Sequence, residues 1–374
     1  MTNRKRNGGG PVRYAVVGQG YIAQAAVLPA FAHAKRNSRL VALVSGDETK
    51  RRELGEMYGV DFTYSYEEYD KCVRSGEVDA VYIALPNSQH RDYAIRAARA
   101  GVHVLCEKPL ACEEQECLEM IAAARQNRVK LMTAYRLHFE HATLSALDKV
   151  AKGEIGEPRL FVSSFTMNVK PPNIRLDAEL GGGTLYDIGI YCINAARHVF
   201  RAEPIEVFAM SASRPQRRFA EVEESMSATL RFPGERLATF VVSFGADKTS
   251  EYRVVGTEGS LRVEPAYELA AGLEHHVTHG KKTRHVHFDK RDQFAPEILY
   301  FSDCILEDRE PEPSGEEGLA DVRVIRALYR SARLNRPVKL AARRLKRQPT
   351  LEQSIRRPPV RRMPRLVNAT PPAG

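Results

Sequence analysis

Four clusters in this 374-residue chain have residue types and spacings that can do chemistry. The first is VVGQGYIAQ, where Gly18, Gly20 and Ala23 form a G-x-G-x-x-A pattern. Alone, that pattern is weak. Here it follows a β-branched apolar run, RYAVVG, and opens a helical pattern, the context in which it cradles a dinucleotide. Gly18 permits a tight turn, Gly20 lets a pyrophosphate approach the backbone, and Ala23 allows close helix–strand packing. Tyr21 and Ile22 stand at the helix start, whose N–H groups face the phosphates. The second cluster ends the next strand, LVSGDETKRR. An acid at that place accepts from a ribose 2′-hydroxyl. Ser45 and Gly46 hold it instead, with Lys50 close behind, and a hydroxyl plus cations suits a 2′-phosphate. NADP is therefore expected ahead of NAD. Asp47 is the competing acceptor for a free 2′-hydroxyl, and Arg51 and Arg52 also fit as solvated helix charges.

The third cluster is CEKPL (106–110), directly after a strand. Lys108 then sits at the carboxyl edge of a sheet, where ligands bind. Glu107 is placed to pair with its ammonium, and Pro109 to fix the turn, as a cis peptide if the turn demands it. In isolation, a lysine at a strand end is usually a surface cation. The fourth cluster is GGGTLYDIGIYCINAARH (181–198). A helix from Leu185 puts Asp187 and Tyr191 at i and i+4 on one face. An acid beside a phenol can relay a proton from a substrate hydroxyl, while the glycines let the chain pass close to a cofactor. A capped helix with Tyr191 packed in the core fits the same spacing. A histidine-rich stretch, EHHVTHGKKTRHVH (274–287), is not read as a metal site. GKK makes a hairpin turn there, and His285 and His287 alternate on one strand face.

The elements that must position these residues follow from periodicity. Between Val12 and Ala134, short β-branched runs alternate with helical patterns, which predicts βαβ units and a parallel sheet covered on both faces. Pro29 interrupts the first helical pattern and should end or kink it. Beyond Leu137, alternating strands and two late helices predict an α+β domain. Its mostly antiparallel sheet has one open face, which suits a homodimer or homotetramer. The expected division is a disordered N-terminus at 1–11, a Rossmann NADP-binding domain at 12–136, a substrate and oligomerisation domain at 137–340, and a disordered basic tail at 341–374.

Composition excludes several classes. No apolar run is long enough to span a membrane, and MTNRKRNGGG is followed by no apolar h-region, so the cytoplasm is the expected location. Six cysteines without a C-x-x-C pair are expected as free thiols. The net charge of +9 belongs to the ends: nine Arg or Lys against one acid after 340, plus Arg4, Lys5 and Arg6. The body is near neutral, so nucleic acid is not an expected partner.

Together the motifs resemble the Gfo/Idh/MocA family, and within it the glucose–fructose oxidoreductase subgroup, over roughly residues 12–340. AVVGQGYIAQ, LVSGDETK, VYIALPNSQH, HVLCEKPL, LMTAYRLHFE, GGGTLYDIGIYCIN and SGEEGLADVRVIRALYRSARLNRPV carry the resemblance. It implies hydride transfer between NADP and a carbinol or carbonyl carbon of a sugar or polyol. Lys108 would orient the substrate hydroxyl, Asp187 would bind substrate, and Tyr191 would be the general acid/base. A phenol ionises near ~10, so Tyr191 needs a neighbouring cation, for which Lys108 is the candidate. The resemblance also places Ser45, Gly46 and Lys50 at the 2′-phosphate. It sets Leu85, Pro86, Asn87, His90 and Glu107 along the cofactor, and Tyr135 and Arg136 on the substrate side. Tightly held NADP would let one sugar be oxidised and another reduced in alternation. The alternatives are an ordinary NAD(P)-dependent sugar or dihydrodiol dehydrogenase with exchangeable cofactor, and a catalytically silent dinucleotide-binding sensor, against which the presence of Lys108 and Tyr191 weighs.

Overall fold

Strands buried on both faces read as continuous apolar runs, and VRYAVV and AVYI do so because helices cover them from each side. A computed structural model describes residues 10–342, 347–360 and 364–371. Six strands, β1 (Val12–Val17), β2 (Ser38–Val44), β3 (Phe62–Tyr64), β4 (Ala80–Ile83), β5 (His103–Glu107) and β6 (Leu131–Ala134), form one sheet in the order β3-β2-β1-β4-β5-β6. All its pairings are parallel, as expected. That is the order of a Rossmann sheet, whose ligand crevice lies at the carboxyl ends of the strands. The first helical run passes from a π-helical turn (Ala23–Val27) through α1 (Leu28–Ala30) to a 3₁₀ turn (Phe31–His33), so the winding changes around Pro29. Four further helices complete the layers: α2 (Glu48–Tyr58), α3 (Tyr69–Arg74), α4 (His90–Arg99) and α5 (Glu114–Gln126).

After α6 (His141–Ala151) the chain builds nine strands: β7 (Pro158–Asn168), β8 (Glu206–Ala212), β9 (Ser225–Phe232), β10 (Arg236–Ser243), β11 (Gly245–Gly256), β12 (Gly259–Val263), β13 (Leu273–His279), β14 (Lys282–Phe288) and β15 (Val338–Lys339). Their order is β14-β13-β12-β11-β7-β10-β9-β8-β15. The pairing is antiparallel except between β7 and β10. The expected hairpin turn falls at Gly280–Lys281, where His279 pairs with Lys282. Helices α7 (Ile190–Phe200) and α9 (Gly315–Leu334) pack on one face through Ile193, Ala196, Val324, Ile325 and Leu328. Leu160, Val162, Leu237 and Val241 stand exposed on the other face in the adjacent strands β7 and β10, and Met210 stands exposed on β8, beyond β9.

One helix crosses back. Phe294, Ile298, Leu299 and Phe301 of α8 (Phe294–Leu306) share a core with Tyr14, Val16 and Leu43 of the parallel sheet, and the Tyr14 hydroxyl lies 2.8 Å from Ser302 Oγ. The tail corrects an expectation too. Its composition cannot build a core, yet the described parts dock on a core already present, with Val367 4% exposed and Ile355 packed against the same cluster. The disorder expected for 1–11 falls, up to residue 9, outside the described residues. All six cysteines are free thiols, and among the described residues no helix is long and apolar enough to cross a membrane.

Behind the second sheet lies a buried charge cluster. Arg197, wholly buried, donates to Glu203 Oε2 (2.8 Å), Glu317 Oε1 (2.8 Å) and Asp321 Oδ1 (2.5 Å). Removing the guanidinium strands three carboxylates away from water. Arg197→Met should lower unfolding stability by about 3–5 kcal/mol, the cost of breaking a buried ion pair. A denaturation midpoint unchanged from wild type would show that the carboxylates do not depend on it.

Candidate active site

The carboxyl edge of the parallel sheet is built to receive a dinucleotide. Gly18 has φ +90°, and a Cβ there would lie 2.5 Å from Ala84 O, so no other residue fits the turn. At Gly20 an added Cβ would meet nothing within 4 Å, leaving the backbone open on the side a pyrophosphate approaches. Tyr21 and Ile22 follow, half-buried, at the start of the helical run. At the end of β2, Ser45 is buried and its Oγ accepts from Asp47 N (3.2 Å). Gly46 lies against the Tyr66 ring, 3.0 Å from where its Cβ would stand. Asp47 caps α2 by accepting from Lys50 N at 3.1 Å, and Arg51 reaches back to the Ser45 carbonyl at 2.5 Å. These features fit a dinucleotide whose 2′ position carries a phosphate.

Lys108 leaves the end of β5, and the bond to Pro109 is cis. Its ammonium does not pair with Glu107, as the sequence suggested. It donates instead to the second domain, to Asp187 O (2.7 Å) and Asp187 Oδ1 (3.3 Å). Asp187 lies in a π-helical turn (Leu185–Gly189) that leads into α7, so the expected simple helix from Leu185 is wider at its start. Arg175 Nε donates to the other carboxylate oxygen at 2.6 Å. Burial pushes the Asp187 carboxyl up, but Arg175 and Lys108 outweigh it and bring it from 3.8 to about 2. Burial likewise pulls the Lys108 ammonium down, and the surrounding Tyr191, Asp187 and Glu107 more than offset it, leaving it raised. Tyr191 sits beside this pair. Lys108 Nζ is 4.9 Å from its ring centroid and Arg136 Cζ 5.1 Å, while Phe165 and Tyr267 pack at 5.7 and 5.9 Å.

Several expected contacts are spent within the protein. Glu107 turns inward, where the Tyr82 hydroxyl lies 2.8 Å from both Glu107 Oε1 and Glu297 Oε1. One phenolic proton serves one carboxylate, so the other contact is a carboxylic acid donating to the phenol oxygen. Burial raises both carboxyls, and the neighbouring Glu107 helps push Glu297 well above the usual range. His90 is wholly buried and spans Pro109 O (2.9 Å) and Leu85 O (3.0 Å), bracing the Leu85–Pro86 loop on the lysine turn. Asn87 donates to Gly181 O at 2.8 Å. Tyr135 gives its hydroxyl to Asp321 Oδ2 (2.5 Å). Arg136 is held by Gln293 and by the Tyr267 carbonyl (2.6 Å), so it faces the Tyr191 ring and not open solvent. The glycines of 181–183 make room for protein: added Cβ atoms would meet Cys112 Sγ at 2.6 Å, Arg175 O at 2.5 Å and Tyr329 OH at 2.4 Å. Arg175 escaped the sequence reading, because nothing in PPNIRLDAEL marks it.

Among the described residues one group could hold a metal, His138, His198 and Glu317, whose ligand atoms lie within 4.8 Å of one another. His198 Nε2 is already 2.9 Å from Glu317 Oε1, and Arg197 supplies that carboxylate with its counter-charge.

The chain has well-populated kin. A family model described as "Oxidoreductase family, NAD-binding Rossmann fold" matches residues 12–135, and one for the GFO/IDH/MocA C-terminal domain matches 143–262. D-xylose 1-dehydrogenase (NADP(+)) of Haloarcula marismortui is 35% identical over 88% of this chain and 93% of its own. The crystal structure of an aldose-aldose oxidoreductase from Caulobacter crescentus, complexed with glycerol, superposes with a TM-score of 0.84 at 39% identity, covering 88% of this chain and all of that one. A 3-ketoreductase from Actinomadura kijaniata, in complex with NADP and TDP-benzene, gives 0.79 at 28% identity over 86% of this chain and 98% of its own.

The Asp187 charge has a testable signature. Its carboxyl titrates lower folded than unfolded, so the stabilisation is complete above 3.8 and is lost as pH falls toward about 2. The melting-temperature gap between wild type and Asp187→Asn should therefore stay constant from about pH 8 to about pH 5 and close below about pH 4. A gap that shrinks between about pH 7 and about pH 6 would contradict the ion pair with Lys108 and Arg175.

Proposed function

The chain belongs to the Gfo/Idh/MocA oxidoreductase family, and on that premise we propose that it oxidises and reduces aldoses at the carbinol or carbonyl carbon with NADP. The cofactor supplies the hydride acceptor and donor. The chain's own residues bind, orient and move the proton. Tyr191, as the phenolate, takes the proton of the sugar hydroxyl in oxidation, and as the phenol returns it in reduction. Lys108 and Arg136, the two cations against its ring, favour the negative charge that the phenolate carries before oxidation and regains in reduction. Asp187 fixes Lys108 and accepts from a second sugar hydroxyl. The single observation that carries this reading is the Lys108 ammonium held between Asp187 and the Tyr191 ring. The sugar-oxidising relatives support the substrate class.

Absorbance near ~340 nm of undialysed protein, followed as aldoses and ketoses are added without cofactor, tests the cycle. A reduced-cofactor signal that falls with one sugar and recovers with another supports tightly held NADP, as in glucose–fructose oxidoreductase. Turnover only on added NADP supports an exchanging dehydrogenase. Tyr191→Phe should cut kcat by about 10²–10⁴-fold, the usual worth of a general acid/base, with little change in NADP binding. Full activity in that variant would remove Tyr191 from the chemistry.

We also propose a homodimer through the open face of the nine-stranded sheet, where Val162 and Val241 stand 51% and 46% exposed in a shared apolar patch. Val162→Lys combined with Val241→Lys should convert the sedimenting species to a monomer. A double variant that sediments like wild type would place the interface elsewhere.

A further inference from the structure

The segment 364–371 contacts the first helical run and α2, the elements that flank the adenosine end of a Rossmann dinucleotide site. Val367 is 4% exposed and is held like a strand residue by one buried side chain: its N donates to Gln24 Oε1 (2.7 Å), and its O accepts from Gln24 Nε2 (2.8 Å). Gln24 also donates to Gln19 O at 2.9 Å, inside the G-x-G loop. On α2, Arg365 pairs with Glu53 at 2.7 Å. Asn368, directly after Val367, turns at φ 45°, a left-handed conformation that Asn tolerates better than most residues. There its Nδ2 donates to Asp47 Oδ2 at 2.9 Å. The segment thus ties together the phosphate loop, the first helical run and the start of α2.

Asp47 is the first carboxylate after β2, where a dinucleotide site places an acid to accept from a free 2′-hydroxyl. Here each of its oxygens has a donor, Lys50 N on Oδ1 and Asn368 on Oδ2. We infer that Asn368 and the strap that carries it are specificity-determining elements: they hold Asp47 out of the ribose position, so that a 2′-phosphate is admitted beside Ser45 and Lys50 and NAD gains no acceptor. The hydrogen bond from Asn368 also holds the Asp47 carboxyl below its ordinary range, as an anion committed to the strap. Without that donor the carboxylate is free to swing toward the ribose, where it repels a 2′-phosphate and accepts from a 2′-hydroxyl.

The inference rests on NADP as the cofactor, and calorimetric titration of NADP and NAD tests both at once. The proteins are wild type, Asn368→Ala, a chain ending at residue 363, and each variant again with Asp47→Ala. Wild type should prefer NADP. Asn368→Ala and the shortened chain should each lose about tenfold of the NADP-to-NAD affinity ratio, with Asp47→Ala restoring it. Proportional weakening of both cofactors, an unchanged ratio in Asn368→Ala, or failure of Asp47→Ala to restore the preference would overturn the strap's role. A wild type that binds NAD as tightly as NADP would instead overturn the cofactor reading. The point variant keeps the test decisive if the shortened chain does not fold.

Discussion

The candidate site is organised around one contact, the Lys108 ammonium on Asp187. The lysine comes from the edge of the parallel sheet and the acid from the start of a helix on the other sheet, so neither domain contains the site alone. Burying such a pair is costly unless its remaining hydrogen-bonding capacity is used. Here Arg175 takes the second carboxylate oxygen, and the Asp187 carbonyl takes a share of the ammonium. Two cations then face one anion, with Arg136 a third cation across the Tyr191 ring, so the region around that ring keeps a positive excess. The raised Glu297 carboxyl matters for the same reason. A second anion beside Glu107, under Lys108, would cancel much of that excess.

The fold was largely legible because it is written in local periodicity. Continuous apolar strands announced the parallel sheet, the alternating strands after Leu137 announced the second, and GKK marked its hairpin. Side-chain direction was not legible. His90, Asn87, Tyr135 and Arg136 all lie where the motifs put them along the chain, but their polar atoms are consumed by carbonyls and acids from segments up to 186 residues away. Nothing in a sequence window reports such a partner. The glycines of 181–183 show the same ambiguity: a demand for small residues is visible, while the neighbour that imposes it is not. Lys108 and Asp187 are 79 residues apart, and only the docking of two sheets explains their meeting.

The tail shows how composition misleads in a different way. An Arg- and Pro-rich stretch cannot build a core, and that statement stands. It does not prevent docking on an existing core through one buried valine and a glutamine that imitates a neighbouring strand. Basic charge that suggested a solvated extension is partly used on the body, at Glu53 and on the carbonyl of His33.

The return of α8 to the first sheet has a consequence for the order in which the molecule is made. Synthesis delivers β1 and β2 about 250 residues before the helix that covers Tyr14, Val16 and Leu43. A ribosome-bound chain therefore carries the Rossmann strands with one apolar side covered only by the first helical run, through residues such as Val27 and Phe31, until α8 emerges. The second sheet is deferred as well, since β7 waits for β10 and β11 on either side. The nascent protein thus spends most of its elongation with its first sheet incompletely covered, because one covering helix comes late in the chain.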